Sequence, residues 1–262
     1  MKHLVLPEVA AELAAHGLAT LRFDYSGYGE SEGERGWIDP SVRVADAAAA
    51  LGELAAHEAV DGGRIGVYGH SYGGPVAIAL AGREPRIRAV VSVSGPGNGT
   101  ALLRSLRPSW DWITFKHQVQ EAQARQAATG QGTLVEIDEI FPFSPEFKAR
   151  YEELKRSSGG SSAIAAGDEV GTRRFYLESV AAIAAFRPED EVRRLGDRAL
   201  LLIHGADDDV APVEDVEAVY ANAPGPRHWH VLPGLGHNDL DADPGLSAAV
   251  AEAAAWFQTH LR

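Results

Sequence analysis

The sequence predicts an α/β fold: a mostly parallel sheet flanked by helices, with a helical lid inserted into it. Two observations lead to this prediction. Short apolar runs of strand length alternate along the chain with longer, often alanine-rich runs of helix length. One stretch between two such strands is far too long to be a loop. Because strands that alternate with helices form parallel sheets covered on both faces, an α/β architecture is expected.

The individual elements follow from local composition. Apolar runs rich in Val, Ile, Leu or aromatic residues predict strands at residues 18–23, 64–68, 87–93, 199–203 and 227–232. Longer runs predict helices at residues 7–16, 41–57, 75–81, 213–222 and 244–260. Gly17 follows the first of these helices, in the position where glycine commonly ends a helix.

The long stretch between the strands at 87–93 and 199–203 divides the chain. We expect residues 97–190 to form a mostly helical insertion above the carboxyl ends of the strands, a lid or cap. Residues 1–96 and 191–262 then form the core that carries the sheet. Within the insertion, the Ser- and Gly-rich run at residues 157–162 predicts a flexible joint.

Residues 68–74 read Tyr-Gly-His-Ser-Tyr-Gly-Gly, which is the pattern Gly-x-Ser-x-Gly with a further glycine. With a strand before it and a helix after it, this is the context of a nucleophile elbow, a turn so tight that its serine is strained and exposed at the sheet edge. The flanking positions must be glycine because a Cβ would collide with the neighbouring strand and helix. The pattern predicts Ser71 as a nucleophile; the alternative is a glycine-rich turn that contains serine by chance.

A serine nucleophile needs a base, and the base needs an acid that holds its tautomer. The strand at 199–203 runs into a loop with three consecutive aspartates, residues 207–209, and the strand at 227–232 is followed by the Gly-preceded His237. The chain order is therefore Ser, Asp, His, and both partners follow the carboxyl ends of strands, on the same rim as Ser71.

With these residues in place, the chain resembles the α/β-hydrolase superfamily, in particular its serine esterases and S9-peptidase-like members, over nearly its whole length. Residues 204–212 resemble the segment H-G-x-x-D-x-x-V-P, which implies that Asp208 is the acid. Gly236 and His237 match the G-x-G-H segment that presents the catalytic histidine. Residues 24–31 resemble the D-x-R-G-x-G-x-S loop, with serine where arginine is usual.

The resemblance also implies an oxyanion hole. One donor is the backbone N–H of the residue after the nucleophile, here Tyr72, and the other comes from a His-Gly loop after an upstream strand. No such loop precedes residue 7. The resemblance thus implies that N-terminal strands are lacking, one of them between the strands at 18–23 and 64–68. We expect the 262-residue chain to be shorter than its functional form, weakly active and prone to aggregation through open strand edges.

The expected function is that of a serine hydrolase that cleaves small-molecule carboxylic esters through an acyl-enzyme, with Ser71, His237 and Asp208 as the triad. No metal ion or organic cofactor is implied. Aromatic residues of the insertion, Trp110, Phe141 and Phe143, are expected to line the acyl or alkyl pocket, or else to form the insertion's own core. Three alternatives stay open: an acyltransferase or a peptidase with the same triad, and an N-terminally truncated, catalytically impaired remnant.

Composition limits the partners. The net charge of −13 argues against nucleic acid and anionic membranes, because phosphates would be repelled. No run approaches the roughly 18 apolar residues of a spanning helix. The chain has no cysteine, which fits the reducing cytoplasm and excludes disulfides and thiolate metal sites. Two histidines near the predicted site are interpreted as structural: His70 packs or hydrogen-bonds beside the nucleophile, and His204 orients the acid loop. The oligomeric state is left undecided.

Overall fold

The computed structural model describes residue 2, residues 5–157 and residues 174–262. All but the first residue of the predicted joint at 157–162 lies outside the described residues. Within the described ranges, none of the helices combines the length and the apolar character needed to cross a bilayer.

A four-stranded parallel sheet with the order β1-β2-β5-β6 forms the centre of the molecule, and a two-stranded antiparallel ribbon of β3 and β4 lies apart from it. The strands in chain order are β1 (Ile65–His70), β2 (Ile87–Val93), β3 (Leu134–Glu136), β4 (Arg174–Tyr176), β5 (Ala199–Gly205) and β6 (Arg227–Leu232). Since β2 and β5 have helices over both faces, they are almost continuously apolar, as central parallel strands require.

Helices surround this sheet and build the insertion. In chain order they are α1 (Leu6–Ala15), α2 (Pro40–Ala56), α3 (Gly73–Ala81), α4 (Gly99–Ser105), α5 (Ser109–Thr129), α6 (Ile137–Ile140), α7 (Pro145–Ser157), α8 (Ser179–Ala185), α9 (Pro188–Glu191), α10 (Glu217–Asn222) and α11 (Gly245–His260). Three 3-10 helices span Val192–Leu195, Val213–Val216 and His237–Asp241.

The sheet separates two apolar cores. Helices α2, α3 and α10 pack on one face, where β2 contributes Val90. Helices α1 and α11 pack on the other face, where β2 contributes Ala89 and Val91. This alternation follows from the two-residue period of a strand, which sends successive side chains to opposite faces. The predicted α/β fold, with a mostly parallel sheet flanked by helices, is confirmed.

The predicted strand at residues 18–23 does not form. This segment has no regular secondary structure, and Leu21 is 46% exposed. Strand β1 pairs with β2 on one edge, while its other edge and residues 17–23 line a common cavity of about 1160 Å³. The apolar composition predicted a strand, but a strand also needs a hydrogen-bonded neighbour, and no described strand lies along this segment.

The chain between β2 and β5 builds a third core from its own elements and from the loop before α2. The buried residues of this core are Ile38, Leu102, Leu103, Phe115, Val119, Ala122, Ile140, Phe141, Leu177, Val180, Ile183 and Val210. Several contacts join the insertion to that loop, among them the N–H of Ile38, which donates to Ser179 Oγ at 3.0 Å, and the ring of Trp37, which stacks on Tyr176 with centroids 4.4 Å apart. The insertion is therefore packed onto the core of the protein.

The turn between β1 and α3 depends on two glycines. A Cβ at Gly69 would overlap the carbonyl oxygen of Gly73, and a Cβ at Gly74 would overlap the side chain of Ser92. Because both positions lack a side chain, strand β1, helix α3 and the end of β2 approach one another more closely than any other residue type would allow.

We predict that Gly69→Ala lowers the free energy of unfolding by at least about 2 kcal/mol, because a backbone carbonyl cannot move aside as a side chain can. The matched control is Gly52→Ala within α2, where nothing lies within 4 Å of the new methyl group. Alanine favours the helix there, so this variant should gain up to about 1 kcal/mol. Urea denaturation measures both. Equal effects of the two substitutions would contradict the steric role of Gly69.

Candidate active site

Ser71 lies at the turn that joins β1 to α3. Its φ of +50° is in the left-handed region, which a non-glycine residue adopts at a cost. Two hydrogen bonds hold this conformation: the Ser71 N–H donates to the carbonyl of Val93 at 2.8 Å, and the Gly74 N–H donates to the carbonyl of Ser71 at 2.9 Å. The strained backbone projects the Ser71 hydroxyl beyond the carboxyl end of the sheet.

His237 approaches Ser71 from the opposite edge strand of the sheet, β6. It follows β6 and opens the 3-10 helix His237–Asp241, and its side chain is 5% exposed. Its Nε2 lies 2.9 Å from Ser71 Oγ. The preceding Gly236 donates its N–H to Asp239 Oδ2 at 2.9 Å, which fixes the start of this helix. The geometry is that of a base within reach of a nucleophile's proton.

Asp208 contacts the other ring nitrogen of His237. Its two carboxylate oxygens lie 2.8 and 3.0 Å from His237 Nδ1. The backbone N–H groups of Val210 and Ala211 donate to Oδ1 at 3.0 and 2.8 Å, so the loop itself orients the carboxylate. The neighbouring Asp207 and Asp209 are exposed. The structure thus brings Ser71, His237 and Asp208 into one hydrogen-bonded row.

Burial and charge act against each other in this pair. Burial alone would raise the pKa of Asp208, but the hydrogen bond and charge of His237 and the amide of Ala211 outweigh it and lower that pKa. Burial would likewise lower the pKa of His237, but the hydrogen bond and charge of Asp208 outweigh it and raise that pKa above its ordinary value. Asp208 therefore stays ionised and favours a proton on His237.

His204 makes a hydrogen bond to the loop that carries Asp208. It is fully buried at the end of β5, and its Nε2 lies 2.6 Å from the carbonyl oxygen of Ala211. Burial lowers its pKa, although Ala211 and Asp208 oppose this effect, so the neutral imidazole donates from Nε2. This placement agrees with its interpretation as a residue that orients the loop.

Tyr72, the predicted oxyanion donor, is the N-cap residue of α3. The first N–H groups of a helix have no partner within the helix, and the helix dipole adds partial positive charge beside Ser71. The position suits stabilisation of a negative oxygen on a group attacked by Ser71.

The aromatic residues predicted to line the pocket lie elsewhere. Trp110 is 73% exposed near the start of α5. Phe141 is buried in the insertion's core, and Phe143 stacks between it and Phe147 with ring centroids 5.9 and 4.3 Å apart. Of this stack, Phe147 lines the cavity that contains Ser71 and His237, and its ring centroid lies 6.0 Å from that of His237. Composition could not tell which end of the aromatic stack faces the site.

The insertion also makes polar contacts with both loops of the site. Ser144 Oγ donates to Asp209 Oδ2 at 2.9 Å, next to the acid. Asn238 Nδ2 donates to the carbonyl of Phe147 at 3.0 Å, next to the histidine. The start of α7 therefore holds the loops after β5 and β6 together. No sequence motif marks these residues, since each contact joins distant parts of the chain.

A second histidine–carboxylate contact lies beside the nucleophile. His70 Nε2 is 2.6 Å from Asp241 Oδ1, and both side chains are 11% exposed. This contact connects the turn that carries Ser71 to the 3-10 helix that carries His237. Within the residues that the structure describes, no three His, Asp or Glu side chains are grouped in a way that would hold a metal ion.

Comparison with known proteins identifies the family of the chain. The profile of the alpha/beta hydrolase family matches residues 3–253, nearly the whole chain. An uncharacterized 31.7 kDa protein from the traX-finO intergenic region of Escherichia coli is 25% identical over 262 residues, which are 100% of this chain and 87% of the relative. A polyketide transferase of Aspergillus fumigatus is 26% identical over 271 residues, covering 99% of this chain and 86% of the relative.

Solved structures share the fold. The crystal structure of a hypothetical protein from Pseudomonas aeruginosa superposes with a TM-score of 0.80 at 22% identity, covering 99% of this chain and 81% of that one.

We predict that the His237 imidazole titrates above the ordinary 6.5 in NMR experiments on ring-labelled protein, because the nearby Asp208 charge outweighs burial. Asp208→Asn removes that charge while burial remains, so the pKa of His237 should fall. Asp207→Asn, one position away in the exposed part of the loop, is the control and should leave it unchanged. A wild-type value below 6.5 would contradict the prediction.

Proposed function

The chain belongs to the α/β hydrolase family, and we propose that it is a serine hydrolase that cleaves small-molecule carboxylic esters through an acyl-enzyme. The observation that carries the proposal is the hydrogen-bonded row from Ser71 Oγ through His237 to Asp208, with distances of 2.9 and 2.8 Å. The pKa of Asp208 is lowered and that of His237 is raised, the directions expected for an ionised acid and for a base that accepts a proton.

In the proposed reaction, Ser71 Oγ attacks the ester carbonyl carbon while His237 Nε2 takes the hydroxyl proton. The negative oxygen of the tetrahedral intermediate accepts a hydrogen bond from the backbone N–H of Tyr72 at the positive end of α3. When the intermediate collapses, the alcohol leaves with the proton from His237, and Ser71 keeps the acyl group. Water then attacks the acyl carbon while His237 takes one of its protons. When this second intermediate collapses, the bond from the acyl carbon to Ser71 Oγ breaks, His237 returns the proton to Oγ, and the carboxylic acid leaves.

Asp208 supports both halves of this cycle. Its contact with Nδ1 keeps the proton of neutral His237 on that nitrogen, so that Nε2 is free to accept. Once His237 is protonated, the ionised Asp208 stabilises the imidazolium, and because both side chains are almost completely buried this attraction is little screened by water. The amides of Val210 and Ala211 prevent the carboxylate from turning away.

Acyl transfer is the second candidate, and the similarity to a polyketide transferase favours it. The two reactions share the acyl-enzyme and differ in the molecule that removes the acyl group, water or another hydroxyl or amine. Hydrolysis of 4-nitrophenyl esters with acyl chains of two to twelve carbons, each with and without an added alcohol acceptor, separates them. Release of free acid alone supports the hydrolase, and formation of the new ester supports the transferase.

We predict that Ser71→Ala and His237→Ala each reduce ester turnover at least about 10³-fold, and that the double variant loses little more, because the groups act as a unit. Wild-type protein should also react rapidly with a fluorophosphonate, followed by mass spectrometry. The control is Ser94→Ala, because Ser94 directly follows β2 and has a similar φ of +47°. The Ser94→Ala variant should still react with the fluorophosphonate. Labelling that persists in Ser71→Ala would refute the proposal, and an unreactive wild type would support the impaired alternative.

We further predict that Asp208→Asn reduces kcat by up to about 10⁴-fold, because an amide does not stabilise the imidazolium and allows the wrong tautomer of His237. Asp207→Asn and Asp209→Asn should remain within a few-fold of wild type, since both side chains are exposed and asparagine still accepts the Ser144 hydrogen bond. Steady-state kinetics on the three variants show which aspartate acts as the acid. A severe loss in Asp207→Asn or Asp209→Asn alone would move the acid to that position.

A further inference from the structure

Arg43, on α2, reaches the same cavity that contains Ser71 and His237. Three tyrosine rings surround its guanidinium carbon, with centroids at 5.0 Å for Tyr28 and Tyr72 and at 5.4 Å for Tyr25. Tyr72 directly follows the nucleophile. The rings attract the positive charge through their faces and require none of its N–H groups. A cation is thus held against the ring of the residue that follows Ser71, in the same cavity, with its hydrogen-bonding capacity largely unused.

Few protein acceptors satisfy this guanidinium. It has five N–H donors. Nη2 donates to the Tyr28 hydroxyl at 3.0 Å, and Nε is buried without a hydrogen-bond partner. Among the described residues, no carboxylate lies within ion-pair distance of Arg43. The carboxylates three and four positions away on the chain are engaged elsewhere, Asp39 with Ser41 and Asp46 with Ser26.

The other arginines on the wall of the cavity differ in this respect. Each donates to a backbone carbonyl or a carboxylate: Arg22 to Lys2, Arg35 to Gly29, Arg64 to Leu261 and Arg174 to Glu136. Among these five arginines of the described structure, Arg43 differs in that its hydrogen bond goes to a phenolic hydroxyl, that of Tyr28, and to neither a carbonyl nor a carboxylate.

A second polar group beside Arg43 is also without a partner. The hydroxyl oxygen of Tyr72 is buried and makes no hydrogen bond within the described structure. Burial raises the pKa of Tyr72, with Arg43 partly opposing this effect, so the phenol keeps its proton and stays a donor. A half-buried guanidinium and a neutral phenol, both short of acceptors, suit a ligand that supplies acceptors and negative charge.

We propose that Arg43, with Tyr72 beside it, forms an anion-binding subsite of the catalytic cavity, and that the natural ester or thioester carries a carboxylate or a phosphate group bound there. The proposal rests on the proposed function of Ser71. Guanidinium binds both anions through paired N–H donors, and placing one against Arg43 would hold the acyl group next to Ser71.

Two substrate pairs test the subsite and separate the anions. The carboxylate pair is 4-nitrophenyl butyrate and the mono-4-nitrophenyl ester of glutaric acid. The phosphate pair is S-butyryl-pantetheine and S-butyryl-4′-phosphopantetheine. For one of the pairs, the ratio of kcat/KM for the charged to the neutral member should fall about tenfold or more in Arg43→Met. Arg43→Lys keeps the charge without the paired donors, so its ratio should lie between those of wild type and Arg43→Met.

Arg22→Met is the matched control, because it removes an equal charge from the same cavity wall and should leave both ratios unchanged. A structural role for Arg43 predicts instead that rates on charged and neutral substrates fall together, with unchanged ratios. That result would overturn the subsite. So would an Arg22→Met effect as large as that of Arg43→Met.

Binding measured without catalysis separates this proposal from the proposed function. Calorimetry with Ser71→Ala protein should detect glutarate or inorganic phosphate, and the added Arg43→Met substitution should weaken that binding about tenfold or more. If ester turnover is absent but this loss is seen, the subsite stands and the hydrolase proposal fails. If turnover depends on Ser71 but anion binding does not depend on Arg43, the subsite fails.

Discussion

The close packing of Gly69 against Gly73 is the constraint on which the site depends. It brings the end of β1 and the start of α3 closer than side chains would permit, and Gly74 does the same for α3 and the end of β2. Within that turn, Ser71 is held at a φ of +50° by its bond to Val93. This strained conformation places the half-buried Ser71 hydroxyl at the positive end of a helix.

The second requirement is electrostatic. Asp208 and His237 are each more than nine-tenths buried, and isolated charges at such positions would be costly. Each compensates the other, and the loop amides and His204 supply the remaining hydrogen bonds. Because these partners come from the ends of β5 and β6, the parallel sheet brings the acid and the base to the rim where Ser71 lies.

The chain between β2 and β5 also contributes to this rim. Ser144, just before α7, holds the loop of Asp208, and the carbonyl of Phe147 within α7 accepts from Asn238 next to His237. The ring of Phe147 lies beside the imidazole. Arg43 and the tyrosines around it line the same cavity. An apolar ring and a cation thus share the cavity that contains Ser71; under the proposed function, this arrangement suits a substrate with one apolar and one charged end.

By itself, the sequence determined the features that depend on neighbours along the chain: the apolar strands, the Gly-x-Ser-x-Gly turn and the order of Ser71, Asp208 and His237. These follow from local sterics and two-residue periodicity, which a single segment displays. Tertiary structure alone decided that residues 18–23 form no strand, that Phe147 and not Trp110 faces the site, and that Arg43 lies among three tyrosines. The reason is physical: a strand needs a partner, and a ring or a cation takes its role from groups that are distant in sequence and adjacent only in the folded chain.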